Sequence, residues 1–104
     1  MGRIAKVKSI EFWAKEWFQK SMGNSYFNVK VYVNDKYIGQ SGMTYGYGSQ
    51  YEQEGIGILK ENGYLKDMGL FQGLSYYCRE NNIELTRNIS SVKRQRDLKD
   101  FING

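Results

Sequence analysis

The spacing of hydrophobic positions changes several times along the chain, and each change marks an element. Ile10, Trp13, Ala14, Trp17 and Phe18 fall at i, i+3, i+4, i+7 and i+8, with Glu11, Lys15, Glu16 and Gln19 between them, which is the pattern of an amphipathic helix. The competing reading of residues 3–20 is a long strand that turns at Met22-Gly23-Asn24-Ser25. The next stretch is β-branched and aromatic: Tyr26, Phe27, Val29, Val31, Tyr32 and Val33 predict a strand. Asn34-Asp35 then marks a tight turn, and Tyr37 and Ile38 open a return strand toward Met43 and Thr44, giving a hairpin.

After the hairpin the period becomes helical. In Tyr45-Gly46-Tyr47-Gly48-Ser49-Gln50-Tyr51-Glu52, Ser49 and Glu52 have the spacing of a capping box. A helix is expected from Gln50 to Asn62, ended by Gly63, with Tyr51, Gly55, Ile58 and Leu59 as its buried stripe. Gly55 and Gly57 each cost such a helix about 1 kcal/mol relative to alanine, a cost that a close approach to the sheet would explain. A second helix is expected from Met68 to Asn81 on the stripe Leu70, Phe71, Leu74, Tyr77 and Cys78. Ile83-Glu84-Leu85-Thr86 alternates like a short strand, and Ser90 or Ser91 can cap a last helix carrying Val92, Leu98, Phe101 and Ile102. The expected fold is α+β: an antiparallel β-sheet, a hairpin or meander from the N-terminal half, packed on one face against two or three helices.

Composition narrows this picture to a single domain over residues 1–104. The length suits one core, and 15 % aromatic content is enough to fill it. Proline is absent and no repeat or linker divides the chain. One cysteine, Cys78, allows no intramolecular disulfide and fits a reducing compartment; on its apolar stripe it reads as a buried, inert thiol. The basic N-terminus lacks the apolar stretch of a signal peptide, and no apolar run is long enough to span a membrane, so a cytoplasmic location and no membrane partner are expected.

The absence of histidine is the most restrictive feature. It removes Ser-His-Asp and Cys-His catalysis, and with a single cysteine it removes a Cys/His zinc site within one chain. Neither a P-loop nor a dinucleotide-binding glycine motif is present. Glu52, Glu54, Glu61 and Asp67 could share acid–base work, but Glu52 has a capping role and the others read as solvated positions. The chain is therefore read as a non-enzyme, with no catalytic residues, no metal and no cofactor.

Two clusters remain as binding candidates. Tyr45, Gly46, Tyr47, Gly48 and Tyr51 form a glycine-rich turn at a helix start, where backbone N–H groups can meet an anion and tyrosines can stack on a ring. The plainer account is a sharp strand-to-helix turn with its tyrosines packed on the sheet. Net charge is +4, and residues 87–104 hold five basic groups (Arg87, Lys93, Arg94, Arg96 and Lys99) against two acidic ones. These could grip phosphates, or simply form a solvated helix face. Trp13 and Trp17 read as core residues rather than a ligand platform.

Gly23-Asn24-Ser25-Tyr26-Phe27, Val31-Tyr32-Val33-Asn34 and Tyr45-Gly46-Tyr47-Gly48-Ser49-Gln50-Tyr51 resemble a group of small, mostly uncharacterised bacteriophage and prophage proteins. The match covers residues 4–65 best, and the Tyr-Gly-Tyr-Gly-x-Gln-Tyr string is its most specific part. Ser49 departs from the pattern, since that position is often acidic in the group. The resemblance implies a strand rather than a helix over residues 5–20, and a phage gene product in the cytoplasm of a bacterial host. It implies no activity. The leading expectation is a phage accessory protein that binds a host or phage macromolecule, favouring a protein and including a role against host defence. The alternatives are a nucleic-acid-binding module using the C-terminal basic residues, and an oligomer that binds a small ligand or nucleotide at the glycine turn.

Overall fold

The computed structural model describes residues 7–46, 48–65, 68 and 73–104. Its first element is the strand β1 (Ser9–Gln19), so the helical spacing of the apolar residues there is overturned and the strand implied by the resemblance is found. β1 turns through Gly23, at φ +69°, into β2 (Asn24–Val33), which pairs antiparallel with it from Ile10 opposite Val33 to Gln19 opposite Asn24. Asn34 and Asp35 both adopt positive φ, as the predicted tight turn requires, and β3 (Lys36–Gln40) returns along β2. The return strand is broken at residues 41–43, after which β4 (Thr44–Tyr45) pairs again with β2. Buried Asn28 clamps this break. Its side-chain oxygen accepts the Gly42 N–H (2.8 Å), and its amide nitrogen donates to Gln40 Oε1 (3.0 Å).

The helix α1 (Gln50–Glu61) lies within one residue of its expected bounds and buries the expected Tyr51, Gly55, Ile58 and Leu59. Gly63, at φ +87°, follows its end. α2 (Leu74–Glu80) buries Leu74, Tyr77 and Cys78 and is shorter than expected; of its anticipated first turns, Leu70 and Phe71 lie outside the described residues.

Two expectations fail in the C-terminal quarter. β5 (Glu84–Val92) is a nine-residue strand that includes Ser90 and Ser91, so neither serine caps a helix. It pairs parallel with β1, which makes the sheet mixed, in the order β3-β2-β1-β5 and mostly antiparallel. The last helix, α3 (Gln95–Asn103), starts after Arg94 and does not join α1 and α2. Alternation assigns Ile10, Phe12, Ala14, Phe27, Val29, Val31 and Val33 to the face under α1, where they form the main core with Leu59, Leu74 and Cys78. Phe101 of α3 packs instead under Lys15 and Lys30, which belong to the opposite face. Leu98 of α3 is fully buried yet lies outside the main core cluster. The architecture is α+β in three layers, with helices on both faces of the sheet.

Candidate functional site

Among the described residues, the glycine-rich turn divides between core and surface. Tyr51 is buried and meets the Phe12 ring edge-on (centroids 6.3 Å apart), so it is a core residue. Burial is the main cause raising its hydroxyl pKa, partly opposed by the charge of Arg87. Gly46 is buried, and a Cβ there would lie 2.6 Å from Gln50 Oε1 and 3.0 Å from the Phe27 ring. That crowding and its φ of +155° account for glycine without a ligand. Gly48 has positive φ with open space around it, Tyr45 is 61 % exposed, and Tyr47 lies outside the described residues.

The capping box is also absent. Ser49 makes no side-chain cap bond, and the carboxylate of Glu52 accepts Arg87 Nε at 2.8 Å instead of turning back to the helix start. Arg87 also donates to Ser75 Oγ at 2.7 Å, which ties β5 to α1 and α2. The hydrogen bond to Glu52 holds the guanidinium pKa above its ordinary value.

This placement separates Arg87 from the other basic candidates, because it serves the α1/α2 side of the sheet. Lys93, Arg94, Arg96 and Lys99 are exposed together around the start of α3, with Arg94 near Asp97 (3.5 Å). Glu54 and Glu61 border an open hollow of about 240 Å³ with Gln40, Ser41 and Gly57. Among the described residues, no three His, Cys, Asp or Glu side chains converge to hold a metal. Cys78 is buried, and burial pushes its thiol pKa up.

A second group of aromatics stands on the α3 side of the sheet, and it includes Trp13, which the sequence assigned to the core. On the α3 side of the sheet, β1 presents Glu11, Trp13, Lys15 and Trp17, and β2 presents Tyr26, Asn28, Lys30 and Tyr32. α3 crosses this face near Lys15 and Lys30, and Gln40 Nε2 donates to the Ile102 carbonyl at 3.0 Å to hold its end. Trp13 is left 43 % exposed and Tyr37 46 % exposed. The Tyr37 ring meets Tyr32 edge-on at 5.7 Å. Trp13 Nε1 donates to Glu11 Oε1 at 3.0 Å, tying the indole to its neighbour on the same face.

Trp13 forms a ridge between two open hollows. One, of about 370 Å³, is lined by Glu11, Trp13, Tyr32 and Asp35. The other, of about 200 Å³, includes Lys15, Asn88, Ser90 and Phe101. Beyond α3, Trp17 stacks on Tyr26 (5.7 Å, 23°), and Tyr26 meets Tyr45 edge-on. The open face thus places rings, carboxylates and amines close together.

No family model, no curated protein and no solved structure matches this chain. Among the described residues, no helix is long and apolar enough to cross a membrane.

Proposed function

We propose that this is a phage-encoded accessory protein that binds a protein of its bacterial host or of the phage, without catalysis, through the open part of the sheet face beside α3. The observation that carries this reading is the pair of exposed aromatics, Trp13 and Tyr37, on one face of the sheet with charged neighbours. Aromatic side chains are enriched in interfaces because they bury large area at small entropic cost, and Trp and Tyr dominate hot spots. Phage origin and a bacterial cytoplasmic location rest on the sequence resemblance, and a role against host defence is the biological setting that suits such a binder.

The test is capture from host lysate by immobilised wild type, by Trp13→Ala/Tyr37→Ala and by Lys93→Ala/Arg96→Ala/Lys99→Ala. The aromatic double variant is expected to lose the partner while keeping its far-UV circular dichroism, and the basic triple variant to retain it. Retention by the aromatic variant overturns the reading.

A nucleic-acid reading has one observation of its own, the exposed cluster of Lys93, Arg94, Arg96 and Lys99. It requires binding of single- or double-stranded nucleic acid that weakens steeply with salt and is lost in the basic triple variant.

A further inference from the structure

β5 is an edge strand with an exposed outer side. Arg87, Asn88, Ile89, Ser90 and Ser91 are all exposed, and among the described residues no strand pairs beyond it. The Glu84 N–H donates to the Lys8 carbonyl at 3.0 Å, so Glu84 turns its peptide groups toward β1. The β1–β5 register runs unbroken from Glu84 to Val92. Alternation therefore turns the N–H and C=O groups of Leu85, Arg87, Ile89 and Ser91 outward.

Edge strands are normally protected by shortness, bulges, proline or lysine. β3, at the other edge, has such protection: it is five residues long, begins with Lys36, and faces a register shift between Val31 and Tyr32. β5 has nine residues, no bulge, no proline and no lysine. Its one central charge, Arg87, is folded back onto Glu52. Ile89, at mid-strand, is 45 % exposed.

We propose that the outer edge of β5 pairs antiparallel with β5 of a second copy of this chain, joining two sheets into one about a two-fold axis at Ile89. In a continuous sheet, facing residues must lie on the same side, so the axis must fall midway between the two copies of one residue. An axis at Arg87 would oppose two like charges. At Ile89 it stacks the two exposed isoleucines. The same register sets Thr86 against Val92 of the second copy and Asn88 against Ser90. The outward groups then bond reciprocally, Ile89 with Ile89 and Arg87 with Ser91. Self-complementarity of this kind selects a second copy over an unrelated strand.

The experiment is sedimentation equilibrium of the full chain at micromolar concentrations, for wild type, Ile89→Lys, and Met22→Lys as a control at another exposed apolar site. Wild type is expected to dimerise reversibly, and Ile89→Lys to raise the dissociation constant about tenfold or more. Met22→Lys is expected to dimerise like wild type, with all three matching in circular dichroism. In a Cys78→Ser background, Ile89→Cys is expected to give a covalent dimer on mild oxidation. A wild type that stays monomeric overturns the proposal, as does a dimer that Ile89→Lys leaves intact. Either result leaves the partner-binding role of Trp13 and Tyr37 standing, because that face is tested by capture.

Discussion

At Gly55 the chain gives up helix propensity for contact. A Cβ there would lie 2.7 Å from Cε1 of Phe12, a ring that is fully buried and cannot retreat. Gly57, two residues on, faces open space. Gly55→Ala is therefore expected to destabilise by about 1–3 kcal/mol through overpacking. Gly57→Ala is expected to stabilise by up to about 1 kcal/mol. Chemical denaturation of both variants checks the opposite signs. Ser49→Ala, with no cap bond to lose, is expected to leave the midpoint nearly unchanged, where a formed capping box would cost about 1 kcal/mol. Spacing alone proposes a capping box; here the nearby Arg87 guanidinium attracts the Glu52 carboxylate away from it.

Cys78 and Tyr51 share one pH signature. Burial raises both pKa values, so the folded state holds these protons more tightly than the unfolded chain does. Their contribution to stability is complete below the unfolded value and is lost as pH rises through the folded one. Stability is therefore expected to fall above about pH 9, starting with Cys78, and Cys78→Ala should remove the earlier part of that fall. Denaturant midpoints measured from pH 7 to 10.5 check this; an identical pH profile for wild type and Cys78→Ala would contradict it.

Legibility varied by element, for physical reasons. The β2–β3 hairpin was readable because Asn34-Asp35 supplies the positive φ values its turn needs. α1 was readable because one face meets the core and the other meets water. β1 was not, because its two faces are both partly covered. Ile10, Phe12 and Ala14 face the main core, while on the other side Trp17 stacks on Tyr26 and Trp13 bonds to Glu11, so the two-residue alternation disappears and a helical spacing emerges by coincidence. β5 failed for the opposite reason. An edge strand with Asn88, Ser90 and Ser91 exposed has little alternation to read, and its serines resemble helix caps.

α3 also escaped the single-face expectation, since an apolar stripe does not say which layer it meets. Its docking rests on Leu98 and Phe101, and on Gln40 Nε2 and Lys30 Nζ, which donate to the Ile102 and Gly104 carbonyls. Leu98→Ala is expected to cost about 2–5 kcal/mol. Because Leu98 stands apart from the main core, amide exchange should rise first in α3 and only later in β1 and β2. Uniform exposure of all elements would show instead that α3 is part of one cooperative unit with the core.

Across the whole molecule, the two sheet faces are covered differently. The α1/α2 face holds the main core and is closed by the Glu52–Arg87–Ser75 link. The α3 face is only partly roofed, leaving Trp13 and Tyr37 at the surface. The sequence reading placed the candidate site at the glycine turn because tyrosines and glycines cluster there. Within that turn Gly46 is crowded and Tyr51 is in the core, whereas the aromatic face is assembled from β1, β2 and β3. Only after β1 is known to be a strand does the sequence Glu11-x-Trp13-x-Lys15-x-Trp17 read as one row on the α3 face.

Hydroxyl-radical footprinting of the protein, free and bound to a partner captured from host lysate, tests the proposed binding face directly. Protection of Trp13, Tyr32 and Tyr37, with Tyr76 on the α2 side unchanged, is the predicted result. Unchanged oxidation of Trp13 and Tyr37 alongside protection near Lys93–Lys99 would contradict it and move the interface to the basic start of α3.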